Sequence, residues 1–159
     1  MDQMDSLAYL VKALDSAYWE LGEGLKGLSD GDVWKRPEPR LLSVGELVAH
    51  VSYWEAMSFL REEPGGPLAD GAARYYNVTR DEPYSPDLGV EALVTEAKKI
   101  HELCMGAIGA SNLSFDDKNP LRDGWTWGYT LIYQAFHLSY HAGQIYSVRH
   151  LMGHQTVDN

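Results

Sequence analysis

The chain has few of the features that mark an exported, membrane-bound or disulfide-stabilised protein. It contains one cysteine, Cys104, so no internal disulfide can form, and this fits a reducing compartment. It has no run of about 18 apolar residues that would span a bilayer. The acidic start, MDQMDSLAYL, also lacks the basic residues of a secretory signal. We therefore expect a cytoplasmic protein with no membrane contact.

Basic residues are also scarce and are not clustered. The chain has 13 Lys and Arg against 23 Asp and Glu, which gives a formal net charge of -10. Such a surface offers nothing to attract nucleic acid or an anionic membrane, so neither is expected as a partner. At 159 residues, the chain is predicted to form a single domain over 1–159 that folds without a structural metal. Any bound metal is then expected to serve chemistry.

The periodicity of apolar residues predicts two helices in the first part of the chain. From Leu7 to Leu28, apolar side chains recur every three or four positions, which predicts a helix from about Gln3 to Leu28. Glycines near its end favour an earlier stop. Ser43 and Glu46 have the spacing of a capping box and predict a second helix that runs to about Glu62. The Gly- and Pro-rich segment 64–86 that follows is predicted to be a lid or a crossover.

Two further helices are predicted in the second part of the chain. Ser85 or Asp87 is expected to cap a third helix, which ends near Ala110. Thr126 is expected to cap a fourth helix over 127–152. Four amphipathic helices without a convincing strand predict an all-α protein with the architecture of a four-helix bundle.

Three histidines on the inward faces of these helices are the strongest chemical signal. His137 and His141 lie four residues apart on one face of the fourth helix, and His50 lies on the inward face of the second. Buried polar groups without partners cost about 1–3 kcal/mol each, so these rings need partners. Three imidazoles and one or more waters describe an open tri-histidine site for zinc, nickel or another divalent ion. The alternative is three histidines bonded to backbone carbonyls and buried water.

Neighbouring side chains are candidates for supporting this site. Glu46, one turn before His50, and Gln144, one turn after His141, are candidates for hydrogen bonds to the metal-binding histidines, with a role as a fourth metal ligand as the alternative. Glu46 has a competing explanation as the capping-box carboxylate. A group of tryptophans is expected either to form the wall of a ligand pocket or to pack in the core. This group comprises Trp54, Trp125 and Trp127.

Three other features have simpler interpretations. His101 is expected to be a boundary histidine bonded to solvent, with a role as a distal ligand or substrate contact as the alternative. Cys104 is expected to be an inert, buried side chain. A second face of the fourth helix is aromatic and is expected to pack on a neighbouring helix or to form a homodimer surface. Its residues are Tyr129, Tyr133, Phe136 and Tyr140.

Two segments, SVGELVAHVSYWE and HLSYHAGQIYSVRHLMG, resemble the signature helices of the DinB-like superfamily, which includes the YfiT-type proteins classed as metal-dependent hydrolases. The resemblance extends over nearly the whole chain. It implies a bundle connected up-down-down-up, a divalent ion held by His50, His137 and His141, and a homodimer. Ala142 stands where family members often carry arginine, and Gly143 is expected to allow close approach of a neighbouring helix or simply to pack there.

The same resemblance implies a class of reaction. The superfamily includes bacillithiol S-transferases and mycothiol-dependent isomerases, so the metal is expected to lower the pKa of a low-molecular-weight thiol that attacks an electrophilic small molecule. The expected function is therefore a metal-dependent enzyme of the thiol S-transferase or hydrolase type. A non-catalytic metal-binding or stress-response protein and a purely structural bundle are the alternatives.

Overall fold

The computed structural model describes residues 3–62, 64–66, 68 and 83–156, and its regular secondary structure is helical. Four helices have both ends within these residues: α1 (Gln3–Leu25), α2 (Val44–Phe59), α3 (Val90–Ala110) and α4 (Trp127–Leu151). Within these ranges there is no strand, only an isolated bridge between Lys118 and Thr126. In the described part of the chain, the all-α prediction is confirmed and each of the four predicted helices is present.

The first two helices begin where the sequence predicts and end slightly earlier. Helix α1 ends at Leu25 and not at Leu28, just before Gly27, whose φ of 73° is unfavourable for other residues. Helix α2 begins with the predicted capping box, in which the Glu46 N–H donates to Ser43 Oγ at 3.2 Å and the Ser43 N–H donates to Glu46 Oε2 at 2.7 Å. It ends at Phe59, before the predicted Glu62.

The start of α3 is capped differently from the prediction. Neither Ser85 nor Asp87 is the cap, because the N-cap residue is Gly89, which has no side chain to accept a hydrogen bond. The Val90 N–H donates instead to Asp30 Oδ1 at 2.7 Å, so a residue just beyond α1 supplies the acceptor. The predicted lid or crossover at 64–86 lies largely outside the described residues.

The core is formed by buried apolar side chains from all four helices. Helix α1 packs along α4, and α2 contacts both α3 and α4, which is consistent with a bundle. No helix in the described ranges is long and apolar enough to cross a membrane. The cytoplasmic location stays a prediction.

Two contacts position α4, the helix that carries two of the three candidate metal ligands. Near its end, the buried Arg149 donates from Nη1 to Gly24 O at 2.8 Å and to Lys26 O at 2.7 Å, which satisfies carbonyls that the end of α1 leaves free. Near its start, Gly128 lies under the Phe115 ring, and a Cβ added there would come within 2.5 Å of ring carbons. Both ends of the helix are thereby fixed.

Gly143 does not have the predicted role in close packing. It is exposed, and a Cβ added there would meet nothing within 4 Å in the described residues. The close approach of a neighbour to α4 occurs at Gly128 instead.

We expect Gly128→Ala to lower the free energy of unfolding by about 1–3 kcal/mol, because Phe115 must move to admit the methyl group. Gly143→Ala on the same helix is the matched control and is expected to raise it by up to about 1 kcal/mol, since alanine favours a helix over glycine. Urea unfolding measures both. Equal effects of the two substitutions would show that Phe115 does not pack as described.

Candidate metal centre

The three predicted histidines converge at one point between α2 and α4. His50 Nε2 lies 3.2 Å from His137 Nε2, and His137 Nε2 lies 3.1 Å from His141 Nε2. One nitrogen from each ring lies within 4.8 Å of the other two. His137 and His141 are buried and His50 is half-buried. The sequence-based grouping of these residues is therefore reproduced in three dimensions.

The spacing of the nitrogens fits ligands that share a divalent cation. With zinc–nitrogen bonds of 2.0–2.1 Å, two ligand nitrogens lie about 3.3 Å apart in a tetrahedral arrangement and about 2.9 Å apart at a right angle. The two observed separations, 3.1 and 3.2 Å, fall between these values. Hydrogen bonding alone satisfies the three nitrogens poorly, because each contact needs one N–H directed at one lone pair.

Gln144 fixes the orientation and the tautomer of His141. Its Oε1 lies 2.7 Å from His141 Nδ1, and its Nε2 donates to the Tyr140 hydroxyl at 3.2 Å. Because an amide oxygen only accepts, Nδ1 must carry the hydrogen, which leaves a lone pair on Nε2 facing the other histidines. Metal-binding histidines are commonly held in this way. The expected hydrogen bond between Gln144 and His141 is therefore present.

His137 is buried in a neutral form. Its ring stacks on Tyr133 with 5.7 Å between the centroids and 19° between the planes, and its Nδ1 has no hydrogen-bond partner in the described residues. Burial and the neighbouring charges of His141, His50 and Arg122 lower the pKa of His137 to about 3. Burial also lowers the pKa of His141, although the bond to Gln144 opposes this. Neutral imidazole is the form that binds a metal.

Glu46 forms an ion pair and a helix cap, and its bonds do not go to a histidine. Its buried carboxylate accepts from Arg36 Nη2 at 2.6 Å, from the Ser43 N–H at 2.7 Å and from the Tyr84 N–H at 2.8 Å. Burial alone would raise its pKa, but the bonds from Arg36, Ser43 and Tyr84 outweigh burial and lower it. The structure thus confirms the capping-box role of Glu46, and none of the bonds of Glu46 in the described residues goes to one of the three histidines.

The predicted tryptophan cluster divides into two parts. Trp127 stacks on Phe59 with 6.4 Å between the centroids, which is core packing. Trp54 and Trp125 both contact the guanidinium of Arg122, whose Cζ lies 5.0 Å from the first ring and 4.4 Å from the second. Arg122 was not among the predicted site residues, because it lies in a connecting segment without helical periodicity.

His101 was predicted to lie at a solvent boundary, and this prediction is wrong. It is only 4% exposed, its Nδ1 lies 2.6 Å from Glu55 Oε1, and its Nε2 lies 3.4 Å from Asp15 Oδ1. The ring stacks on Tyr18 with 3.9 Å between the centroids. His101 is therefore part of a second buried polar cluster, which joins α1, α2 and α3 and is separate from the three histidines.

The sequence did contain a signal for this cluster. Val48, Ser52, Glu55 and Phe59 follow one another at spacings of four, three and four and are all buried, so Glu55 lies on a core-facing stripe of α2. A buried carboxylate needs a cation or a donor, and His101 supplies it. Burial alone would lower the pKa of His101, but the bonds and charges of Glu55 and Asp15 outweigh burial and raise it.

Cys104 is fully buried next to this second cluster. Burial, with a smaller contribution from the charge of Glu55, raises the pKa of its thiol. A thiol in that state is a poor nucleophile, which agrees with the predicted inert role.

The chain matches no family model and no curated protein.

We expect the stabilising effect of His101 to depend on pH. Its folded-state pKa lies above the unfolded value of about 6.5, so its contribution is complete below that pH and is lost as the pH rises through the folded-state pKa. His101→Gln should lower the free energy of unfolding by about 3 kcal/mol at pH 6 and by less at pH 9. Urea unfolding across this range measures the difference.

The exposed His150 of α4 provides the control for that experiment. His150→Gln should change stability by less than about 0.5 kcal/mol. A cost of His101→Gln that stayed constant from pH 6 to pH 9 would contradict a charged His101 in the folded protein.

Proposed function

We propose that the protein is a DinB-like metalloprotein in which His50, His137 and His141 hold a divalent ion, with zinc or nickel as the leading candidates. We further propose that it is a metal-dependent enzyme of the thiol S-transferase or hydrolase type. The convergence of three imidazole Nε2 atoms carries the proposal. The Nε2 atom of His137 lies 3.2 Å from that of His50 and 3.1 Å from that of His141. The thiol and its electrophilic co-substrate come from the sequence resemblance.

Contacts between helix ends support the up-down-down-up connection. Arg149, near the end of α4, contacts Gly24 at the end of α1, which fits parallel helices. Ser58, at the end of α2, accepts from Gln134 near the start of α4 at 2.7 Å, which fits antiparallel helices. Helix α3 begins next to Asp30, just beyond the end of α1, and so runs opposite to α1.

The donor set supports an open, reactive site. Among the described residues, no fourth His, Cys, Asp or Glu joins the three histidines. A divalent ion held there would lower the pKa of a thiol or water molecule that binds it. The chain's own residues supply orientation: Gln144 holds His141 by its Nδ1 hydrogen, and Tyr133 stacks on His137. Three neutral ligands with free positions are typical of a catalytic rather than a structural metal site.

We expect protein purified without an affinity tag to contain about one divalent ion per chain. His137→Ala should lose the ion, because two ligands remain. Gln144→Ala should weaken binding about 10–100-fold through loss of orientation. His150→Ala, on the same helix but outside the site, should retain the ion. Elemental analysis after dialysis measures all four proteins, and equally low metal in wild type and His137→Ala would refute the site.

The same proteins test whether the site is catalytic. Low-molecular-weight thiols paired with electrophiles are screened against wild type and His141→Ala, and turnover should disappear together with the metal. A bound ion without turnover on any pair would favour the alternative of a non-catalytic metal-binding protein.

We also propose that the protein is a homodimer that associates through one face of α4. The sequence has no Asp, Glu, Lys or Arg between Trp127 and Val148, although the whole chain has a net charge of -10. Two copies that meet on this uncharged face avoid the repulsion that acidic surfaces would cause. The face is also apolar enough to favour burial. Its exposed apolar side chains are Tyr129, Ile132, Phe136 and Tyr140.

We expect wild type to scatter light as a particle of twice the chain mass and Phe136→Glu to scatter as a monomer, because a buried charge at the centre of this face opposes association. Tyr9→Glu changes a comparably exposed aromatic side chain on α1 and should leave the dimer intact. A wild-type monomer over a wide concentration range would exclude the proposed assembly.

A further inference from the structure

Arg122 is a cation held by aromatic rings beside the candidate metal centre. Its guanidinium carbon lies 5.0 Å from the Trp54 ring centre and 4.4 Å from the Trp125 ring centre, both within the range of cation–π attraction. The side chain is half-buried. In the described part of the chain, no carboxylate forms an ion pair with it. Indole rings offer no oxygen acceptor, so these contacts leave its N–H donors available.

The backbone of Arg122 is fixed by a turn built on Asn119. The Arg122 N–H donates to Asn119 O at 3.2 Å, and the Trp125 N–H donates to Arg122 O at 3.0 Å. Asn119 is buried, and its Nδ2 donates to Ser58 O on α2 and to Thr130 Oγ1 on α4, both at 3.1 Å. The turn is therefore tied to the two helices that carry the three histidines. Such anchoring favours a preorganised binding group.

A chain of ring contacts connects Arg122 to the three histidines. Trp125 lies against Tyr133 with 4.9 Å between the centroids, and Tyr133 stacks on His137. On the other helix, Trp54 follows His50 by one helical turn. Arg122 thus lies beside the candidate metal centre, with aromatic rings between them.

We infer, resting on the proposed function, that Arg122 binds an oxyanion group of the substrate, a carboxylate or a phosphate, whose reacting end lies at the three histidines. A guanidinium pairs with such groups through two parallel N–H bonds, and the indole rings restrict its orientation. An ion held by three neutral ligands also keeps its full positive charge, which favours an anionic partner. The competing explanation is that Arg122 only clamps the two tryptophans.

Matched thiols separate these two explanations. Cobalt-loaded protein is titrated with 3-mercaptopropionate, with 2-mercaptoethylphosphonate and with neutral 3-mercaptopropionamide. Affinity is read from the thermal shift, and sulfur contact with the metal is read from the charge-transfer absorption. We expect wild type to bind at least one anionic thiol about tenfold more tightly than the amide, since a charge-assisted pair contributes that much. The better anion identifies the carboxylate or the phosphate source.

Arg122→Gln should retain the cobalt and bind all three thiols about equally, whereas Arg122→Lys should retain part of the preference because it keeps the charge. Arg122→Met, which keeps more contact with the indole rings, replaces the Gln variant if the latter unfolds. Wild type without a preference for an anion, or an unchanged preference in Arg122→Gln, would overturn the inference. So would the absence of any thermal shift with the three compounds.

The two proposals fail in distinguishable ways. An anion preference that depends on Arg122 but comes without a charge-transfer band would support the inference and reject the thiol chemistry. A charge-transfer band of equal intensity with all three compounds, without a preference for the anions, would support the thiol chemistry and reject the inference about Arg122.

Discussion

Three imidazole nitrogens that face one another between α2 and α4 restrict how these two helices can pack. Separations of 3.1 and 3.2 Å are stable only if a cation or a set of well-placed hydrogens lies between the lone pairs. Such distances also require α2 and α4 to keep their relative register. The buried bond from Gln134 to Ser58 maintains that register, as does the Asn119 side chain bound to both helices.

Among the described residues, the buried carboxylates of α2 are paired away from the three histidines. Helix α2 carries two buried acids, Glu46 and Glu55, and each is matched by its own cationic partner, Arg36 or His101. Glu55 follows His50 by five positions, which places it about 140° around the helix. The second buried polar cluster, to which Glu55 belongs, and the three histidines therefore lie on different sides of α2. The nearby charge is that of Arg122, so the electrostatics of the site favour an anion.

Much of the fold and the grouping of the three histidines could be predicted from the sequence, because both depend on local spacing. Helical periodicity located the four helices, and the separation of His137 from His141 placed both rings on one face. The cap of α3 was mispredicted because its acceptor, Asp30, is remote in sequence. Arg122 could not be predicted, since its position depends on a turn whose anchor contacts two helices. The capping-box role of Glu46 followed from its spacing from Ser43, whereas its ion pair with Arg36 did not, because spacing does not show which distant partner a carboxylate finds.

The state of the only cysteine limits how sulfur can take part in a reaction at this site. Cys104 lies on α3 with no exposed surface, next to the negative charge of Glu55, and its pKa is raised. Deprotonating it there would place a second negative charge in the core without a second cation to match it. A thiol-dependent reaction at the three histidines must therefore take its sulfur from a small molecule that enters the site. On the proposals above, an anionic group on that small thiol would meet Arg122.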